Sequence, residues 1–369
     1  MIWYLGACIL LCAVSCQNLR DPRVSIAQGT VIGSYNTFYE FYGIPYGDTT
    51  SGTNRFKAPK PAPLFDSPFK ANRKDISCLR PMRNGYKGVE DCLSLNIVTP
   101  KLNSTLRLNV LVWIKDKEFD PHEPELSYYK HFVEKDVIVV TPNFRESLLG
   151  FLCLGTSSAP GNAGLKDIIA ALKWIKLNIA AFGGDPENVT VFGHGSGAAM
   201  VDLLTLSNMS KGLFQKAIFQ SKNDVESWAV TRDNSKYAIV IAKALGHTVE
   251  DLEALSHIFT RISAPVLMAV VHELELTENS LAFAPCMERY LDSRDVEPFI
   301  LKSPFENVGE KIDIPFMTGF INGDRIKNNT NEKIVTNNWN CTTTLIVYTF
   351  ILIALLSIVR NLEISEIML

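Results

Sequence analysis

Two short runs of apolar, largely β-branched residues stand out along the chain. They are NVLVWI, from Asn109 to Ile114, and DVIVVTPNF, from Asp136 to Phe144. Neither alternates with polar residues, as a half-exposed strand does, so both predict strands buried on two faces. A different period follows in NAGLKDIIAALKWIKLNIAAF, from Asn162 to Phe182. There Leu165, Ile168, Ile169, Leu172, Ile175 and Ile179 fall on one side of a helix, and the GGDP after Phe182 punctuates it. NVTVFG (Asn188 to Gly193) predicts a strand and SGAAMVDLLTL (Ser196 to Leu206) a helix that opens on small residues. KAIFQS (Lys216 to Ser221) and IPFMTGF (Ile314 to Phe320) predict further strands. The strand–helix alternation predicts an α/β fold with a mostly parallel central sheet and helices on both faces. Such sheets place their sites at the carboxyl ends of central strands.

One of those ends carries FGHGSGAAM, from Phe192 to Met200. A G-x-S-x-G turn presents a serine nucleophile on a bend so sharp that the residues two before and two after it must be nearly bare. Centring the pattern on Ser196 puts His194 and Ala198 at those places, and His194 is too large. Centring it on Gly195 puts Gly193 and Gly197 there. The sequence therefore predicts an elbow whose shape survives and whose apex, Gly195, has no hydroxyl. Ser196 falls one residue on, in the first turn of the following helix.

Composition agrees with a large folded core: 369 residues, 47% hydrophobic, 20% charged, net charge −3. The near-neutral balance gives no electrostatic reason to expect nucleic acid. No Cys/His cluster has zinc-ligand spacing, and no cofactor or metal is expected. The two ends differ from the middle. Residues 1–16, MIWYLGACILLCAVSC, read as a secretory signal peptide without a basic start. Residues 342–359 form an uncharged apolar run about long enough to span a bilayer. Residues 326–341 then read as a linker and 360–369 as a short tail, giving a single-pass, type I arrangement at the plasma membrane or a secreted product. Secretion makes cysteines candidates for pairing. With Cys8, Cys12 and Cys16 in the leader, Cys78, Cys92, Cys153, Cys286 and Cys341 remain. Cys78 and Cys92 flank a polar, glycine-containing loop and are the expected disulfide. Sequons at Asn103, Asn208, Asn328 and Asn340 are candidate glycosylation sites. A fifth, Asn188, opens a predicted buried strand and is the least suited to carry sugar.

Three stretches resemble signatures of the carboxylesterase and cholinesterase (type B) family of α/β-hydrolases. They are FYGIPYGDTTSGTNRFKAPKP (Phe41 to Pro61), EDCLSLNIVTP (Glu90 to Pro100) and GNAGLKDIIAALKWIKLNIAAFGGDPENVTVFG (Gly161 to Gly193). The resemblance covers residues 24–325 and implies an α/β-hydrolase domain, incomplete at its C-terminal side. It also implies a catalytic layout against which this chain departs. Gly195 stands where the family has its serine. Lys115, Asp116, Lys117 and Glu118 stand where the family has the glycines of its oxyanion loop. Asp324, in GFINGDR, falls at the position of the triad acid, and no histidine follows His272. His122, His131, His247, His257 and His272 lie at the wrong places for the family's base.

LLTLSNMSKGLFQKAIFQS (Leu203 to Ser221) is also similar to neuroligin sequence. On these grounds the expected function is a non-catalytic, cell-surface or secreted recognition and adhesion protein. Its partner would be an unidentified surface protein or a small apolar ligand, with membrane attachment through the C-terminal run. The alternative expectation is a carboxylic ester hydrolase by descent, with weak or no activity.

Overall fold

The computed structural model describes residues 21–82, 84–115, 130–220, 230–231, 234–249, 251–276, 282–291, 297–307 and 312–319. The expected leader, linker, apolar span and tail, together with Asp116, Lys117, Glu118, His122, Asp324, Asn328, Asn340 and Cys341, lie outside these residues.

The chain opens with four strands: β1 (Arg23–Ile26), β2 (Gly29–Ile32), β3 (Ser34–Tyr35) and β4 (Tyr39–Pro45). β5 (Phe69–Lys70) pairs with β2 in a three-stranded sheet, and β6 (Arg80–Met82) pairs with β7 (Gly85–Lys87) as a ribbon. The central strands follow: β8 (Ser94–Thr99), β9 (Leu108–Ile114), β10 (Val137–Pro142), β11 (Gly184–His194), β12 (Lys216–Gln220) and β13 (Phe316–Gly319). They form an eight-stranded sheet in the order β13-β12-β11-β9-β10-β8-β4-β3. From β13 to β10 every pairing is parallel, whereas β8, β4 and β3 join antiparallel at one edge. The order reverses at β9, which has β10 on one side and β11 on the other, so the carboxyl ends of β9 and β11 form the topological switch point at which such sheets bind ligands.

Strands β9, β10 and β11 are buried on both faces along most of their length, with successive side chains going to opposite sides, whereas β13 at the edge is exposed or half-buried. Val110, Val112 and Ile114 of β9, Ile138 and Val140 of β10, and Val189 and Val191 of β11 enter the larger core cluster. Leu111 and Trp113, Val137 and Val139, and Phe192 enter the other cluster. Helix α2 (Ala163–Asn178), which follows the short α1 (Ser147–Phe151), covers the first face and leads from β10 to β11. Its Leu165, Ile168, Ile169, Leu172 and Ile175 are buried, as the periodicity predicts. Helix α3 (Ser196–Leu206) leads from β11 to β12 and packs on the same face. On the opposite face lie Phe132 and Val133, from a helical turn at 130–133. Three more helices, α4 (Ser235–Ala244), α5 (Leu252–Arg261) and α6 (Ala264–Glu273), and one turn, α7 (Pro304–Asn307), follow, and short 3-10 turns lie at Gly52–Asn54, Ile179–Phe182 and Asn208–Ser210. Among the described residues no single helix is long and apolar enough to cross a membrane.

Candidate active site

β11 ends at His194 and α3 begins at Ser196, so Gly195 alone makes the turn. It sits at φ 57° and ψ −123°, a combination that side chains rarely adopt because Cβ crowds the backbone. The turn is closed by the Gly195 N–H donating to the Gln220 carbonyl at 2.9 Å, and by the Gly195 carbonyl accepting from Ala198 N at 3.1 Å. Its neighbours explain the need for bareness. A Cβ on Gly193 would overlap the Gly197 carbonyl, and one on Gly197 would overlap the Ile114 carbonyl, both nearer than the 3.0 Å that real Cβ atoms keep. The strand, the turn and the helix thus touch through backbone alone. This is the centring on Gly195 that the sequence predicts, and no hydroxyl stands at the apex.

Ser196 opens α3, half-buried, and its neighbour His194 is also half-buried. The β9 end that Gly197 abuts leads into Lys115, half-buried, where the charged run begins. His131 and His257 are exposed and face Glu134 at 3.2 Å and Glu253 at 3.7 Å, each pair within one helical turn. They are surface groups.

Behind α2 lies a set of buried charges that sequence reading did not single out. Arg145, immediately after β10, gives its Nε and Nη2 to the two oxygens of Asp167 at 2.7 and 2.5 Å. It also donates to the carbonyls of Arg55 at 2.9 Å and Lys57 at 2.8 Å. Burial pushes the Asp167 carboxyl up, and the Arg145 guanidinium opposes that push. Nearby, Tyr46 donates its hydroxyl to the Asn143 carbonyl. Burial, then the Asp167 charge, raises that phenol well above its ordinary value. Arg55, the other buried arginine, pairs with Glu90 at 2.5 Å and donates to the Phe259 carbonyl of α5. These groups neutralise one another, Arg145 with Asp167 as one ion pair and Arg55 with Glu90 as a second.

The expected Cys78–Cys92 disulfide is present, and so is a second, Cys153–Cys286. The only sequence signal for the second was arithmetic. Once Cys78 and Cys92 are paired, Cys153, Cys286 and Cys341 remain, and spacing alone does not choose among them.

The order of the sheet, the switch at β9 and the elbow on β11 together define an α/β-hydrolase fold. The Carboxylesterase family profile matches residues 20–348, and the chain belongs to that family. It is 34% identical over 319 residues to Esterase B1 of Culex pipiens, covering 80% of this chain and 58% of that protein. It is 33% identical over 323 residues to a carboxylic ester hydrolase of Bombus ignitus, covering 83% and 57%. Among solved structures it matches juvenile hormone esterase from Manduca sexta, crystallised with OTFP covalently attached. That match has a TM-score of 0.71 and 27% identity, over 80% of this chain and 59% of that one. The chain thus spans less than two thirds of the length of these relatives.

These relatives overturn the expectation of a non-catalytic recognition and adhesion protein, because they are named as esterases and an ester hydrolase. The stretch from Leu203 to Ser221 that resembled neuroligins also has a structural explanation. Its Leu203, Leu204, Ala217 and Ile218 are core residues of α3 and β12, and Phe214 is buried between them. A resemblance borne by core packing reports the shared fold rather than an adhesive surface.

Proposed function

We propose that this chain is a carboxylic ester hydrolase of the esterase type that binds short-chain esters at the elbow and turns them over weakly. The observation that supports this reading best is the retained elbow: Gly195 at φ 57° between Gly193 and Gly197, at the carboxyl end of β11. A bend of this kind aims the start of the next helix at the reacting carbonyl, where backbone N–H groups meet the developing oxyanion. Each such donor stabilises the transition state by about 3 kcal/mol. With glycine at the apex, no side-chain oxygen attacks, and the nucleophile is water. Water adds to the carbonyl carbon, the tetrahedral oxyanion collapses, and the alkoxide leaves with the proton that water gave up. Binding and oxyanion stabilisation alone, without an intact triad, give about 10³-fold acceleration over water.

The two disulfides fit an oxidising compartment, and passage through the secretory pathway is part of the same proposal. The test is hydrolysis of a short-chain aryl ester by the purified chain. Saturable acceleration of about 10³-fold over buffer is expected. Ser196→Ala should leave it within about twofold, because that hydroxyl is not the attacking atom. Gly195→Ser alone should also leave turnover within about twofold, because an apex hydroxyl needs a general base to take its proton. The reading fails if the wild-type chain shows no saturable cleavage.

A further inference from the structure

The residues around Cys286 form a strap between two helices that no catalytic reading uses. Residues 282–291 run past the first turn of α2, and residues 297–300 return to the far end of α3. At the α2 end, the Asn162 side chain clips the Cys286 backbone from both sides. Asn162 Nδ2 donates to the Cys286 carbonyl at 2.8 Å, and Cys286 N donates to Asn162 Oδ1 at 2.8 Å. The other cysteine is held through its N–H. Cys153 N donates to Asn234 Oδ1 at 2.9 Å, and Asn234 Nδ2 donates to the Phe151 carbonyl at 2.6 Å. Gly161 lies against both sulfurs, where a Cβ would come within 2.8 Å of each.

Two residues beyond Cys286, Glu288 is the hub. It accepts from Lys166 Nζ at 2.7 Å, Asn162 Nδ2 at 2.7 Å and Phe299 N at 3.2 Å, and its own N–H donates to the Ile300 carbonyl at 2.8 Å. The Lys166 and Glu288 side chains are 2% and 1% exposed. From Phe299 the path continues to the elbow helix, because Ser207 Oγ, just after α3, donates to the Phe299 carbonyl at 2.7 Å.

We propose that this strap is doubly latched: Glu288, gripping Lys166 and Asn162, keeps it seated on α2 and α3 when the Cys153–Cys286 bridge is open. The two latches act on different quantities. The bridge closes a separation of 133 residues, and such a link works chiefly by restricting the unfolded chain. It limits distance but does not orient the strap. The Glu288 contacts fix orientation, and lifting the strap leaves the Lys166 ammonium in the interior without its carboxylate, which is costly. With both cysteine backbones held by asparagine amides, each cysteine is kept in place by contacts other than the bridge. Glu288 is thus a positioning residue, and the proposal does not depend on whether the chain hydrolyses esters.

Hydrogen exchange read by mass spectrometry tests it in four proteins: wild type, Cys153→Ala with Cys286→Ala, Glu288→Gln, and the combination. The cysteine pair removes this bridge and leaves Cys78–Cys92. Exchange in 282–291 and at the end of α3 should stay within about twofold of wild type in each partial variant, and rise by about tenfold or more in the combination. β9 should change in none of them. If Glu288→Gln does not fold, Lys166→Met removes the same ion pair and takes its place. Tenfold release in the bridge-free variant alone overturns the proposal, because the bridge is then the sole latch. Wild-type protection in the combination overturns it equally.

Discussion

The elbow and the buried charges behind α2 stand within one fold and answer differently to a change of side chain. At the elbow, shape is held by backbone against backbone: Gly193 against Gly197 and Gly197 against Ile114, with Gly195 N bonded to Gln220. Nothing in that arrangement depends on the side chain at the apex, so the hydroxyl is absent and the bend remains. Behind α2 the shape is held by particular functional groups, Arg145 with Asp167 and Lys166 with Glu288, each at most 2% exposed. There a single altered side chain strands a charge. A catalytic group is therefore easier to lose without unfolding the protein than a buried structural ion pair.

The sharpest way to break this comparison is to empty one side of the buried set. Asp167→Ala leaves the Arg145 guanidinium in the interior and should cost about 3–5 kcal/mol of stability, read by urea denaturation. A cost near zero would show that water reaches Arg145 and that the contrast is false. Next comes Gly197→Ala, which drives a Cβ into the Ile114 carbonyl. Overpacking of this kind should cost about 2–3 kcal/mol in the same measurement. If it costs nothing, the elbow is not held by backbone contact. Smaller again is Gly195→Ser. The apex tolerates a side chain at the expense of its positive φ alone, about 1–2 kcal/mol, so the melting temperature should fall by only a few degrees. A loss as large as that at Gly197 would mean the apex is as crowded as its flanks.

The smallest effect belongs to the surface. Asn103 is exposed, with its Oδ1 accepting from Thr105 N at 3.0 Å and Thr105 Oγ1 at 2.9 Å. When the chain is expressed through the secretory pathway, Asn103→Gln should remove one glycan, seen as a gel shift, with no change in melting temperature. Asn188, by contrast, accepts from Lys216 Nζ at 3.0 Å and donates to Asn109 between strands. The same substitution there should produce no shift. Asn208 is exposed as well, although Ser210 of its sequon turns its hydroxyl inward to the Ser207 carbonyl at 2.8 Å.

Much of the fold was legible because its signals are local. The runs that became β9, β10 and β12 needed only β-branched residues in short apolar stretches, and α2 needed only its period. The start of α3 at Ser196 was readable from the glycines around it. The antiparallel edge of β8, β4 and β3 was not, since its strands carry no run long enough to stand out. The candidate site divides in the same way. The bare flanks and the apex at Gly195 followed from one turn's sterics. The adhesion reading failed because a sequence likeness in α3 and β12 does not tell buried positions from exposed ones.

By itself the sequence determined where β9 to β13, α2 and α3 form, where the elbow falls, and that Cys78 and Cys92 join across 14 residues. Periodicity, glycine sterics and short loops are properties of neighbours along the chain. Only the tertiary structure decided the strand order around β9, the Arg145–Asp167 pair, the Cys153–Cys286 bridge and the grip of Glu288 on Lys166, 122 residues away. Those choices rest on which distant groups meet when the core closes. Burial makes each meeting obligatory, because a charge or an amide taken out of water must find its partner there.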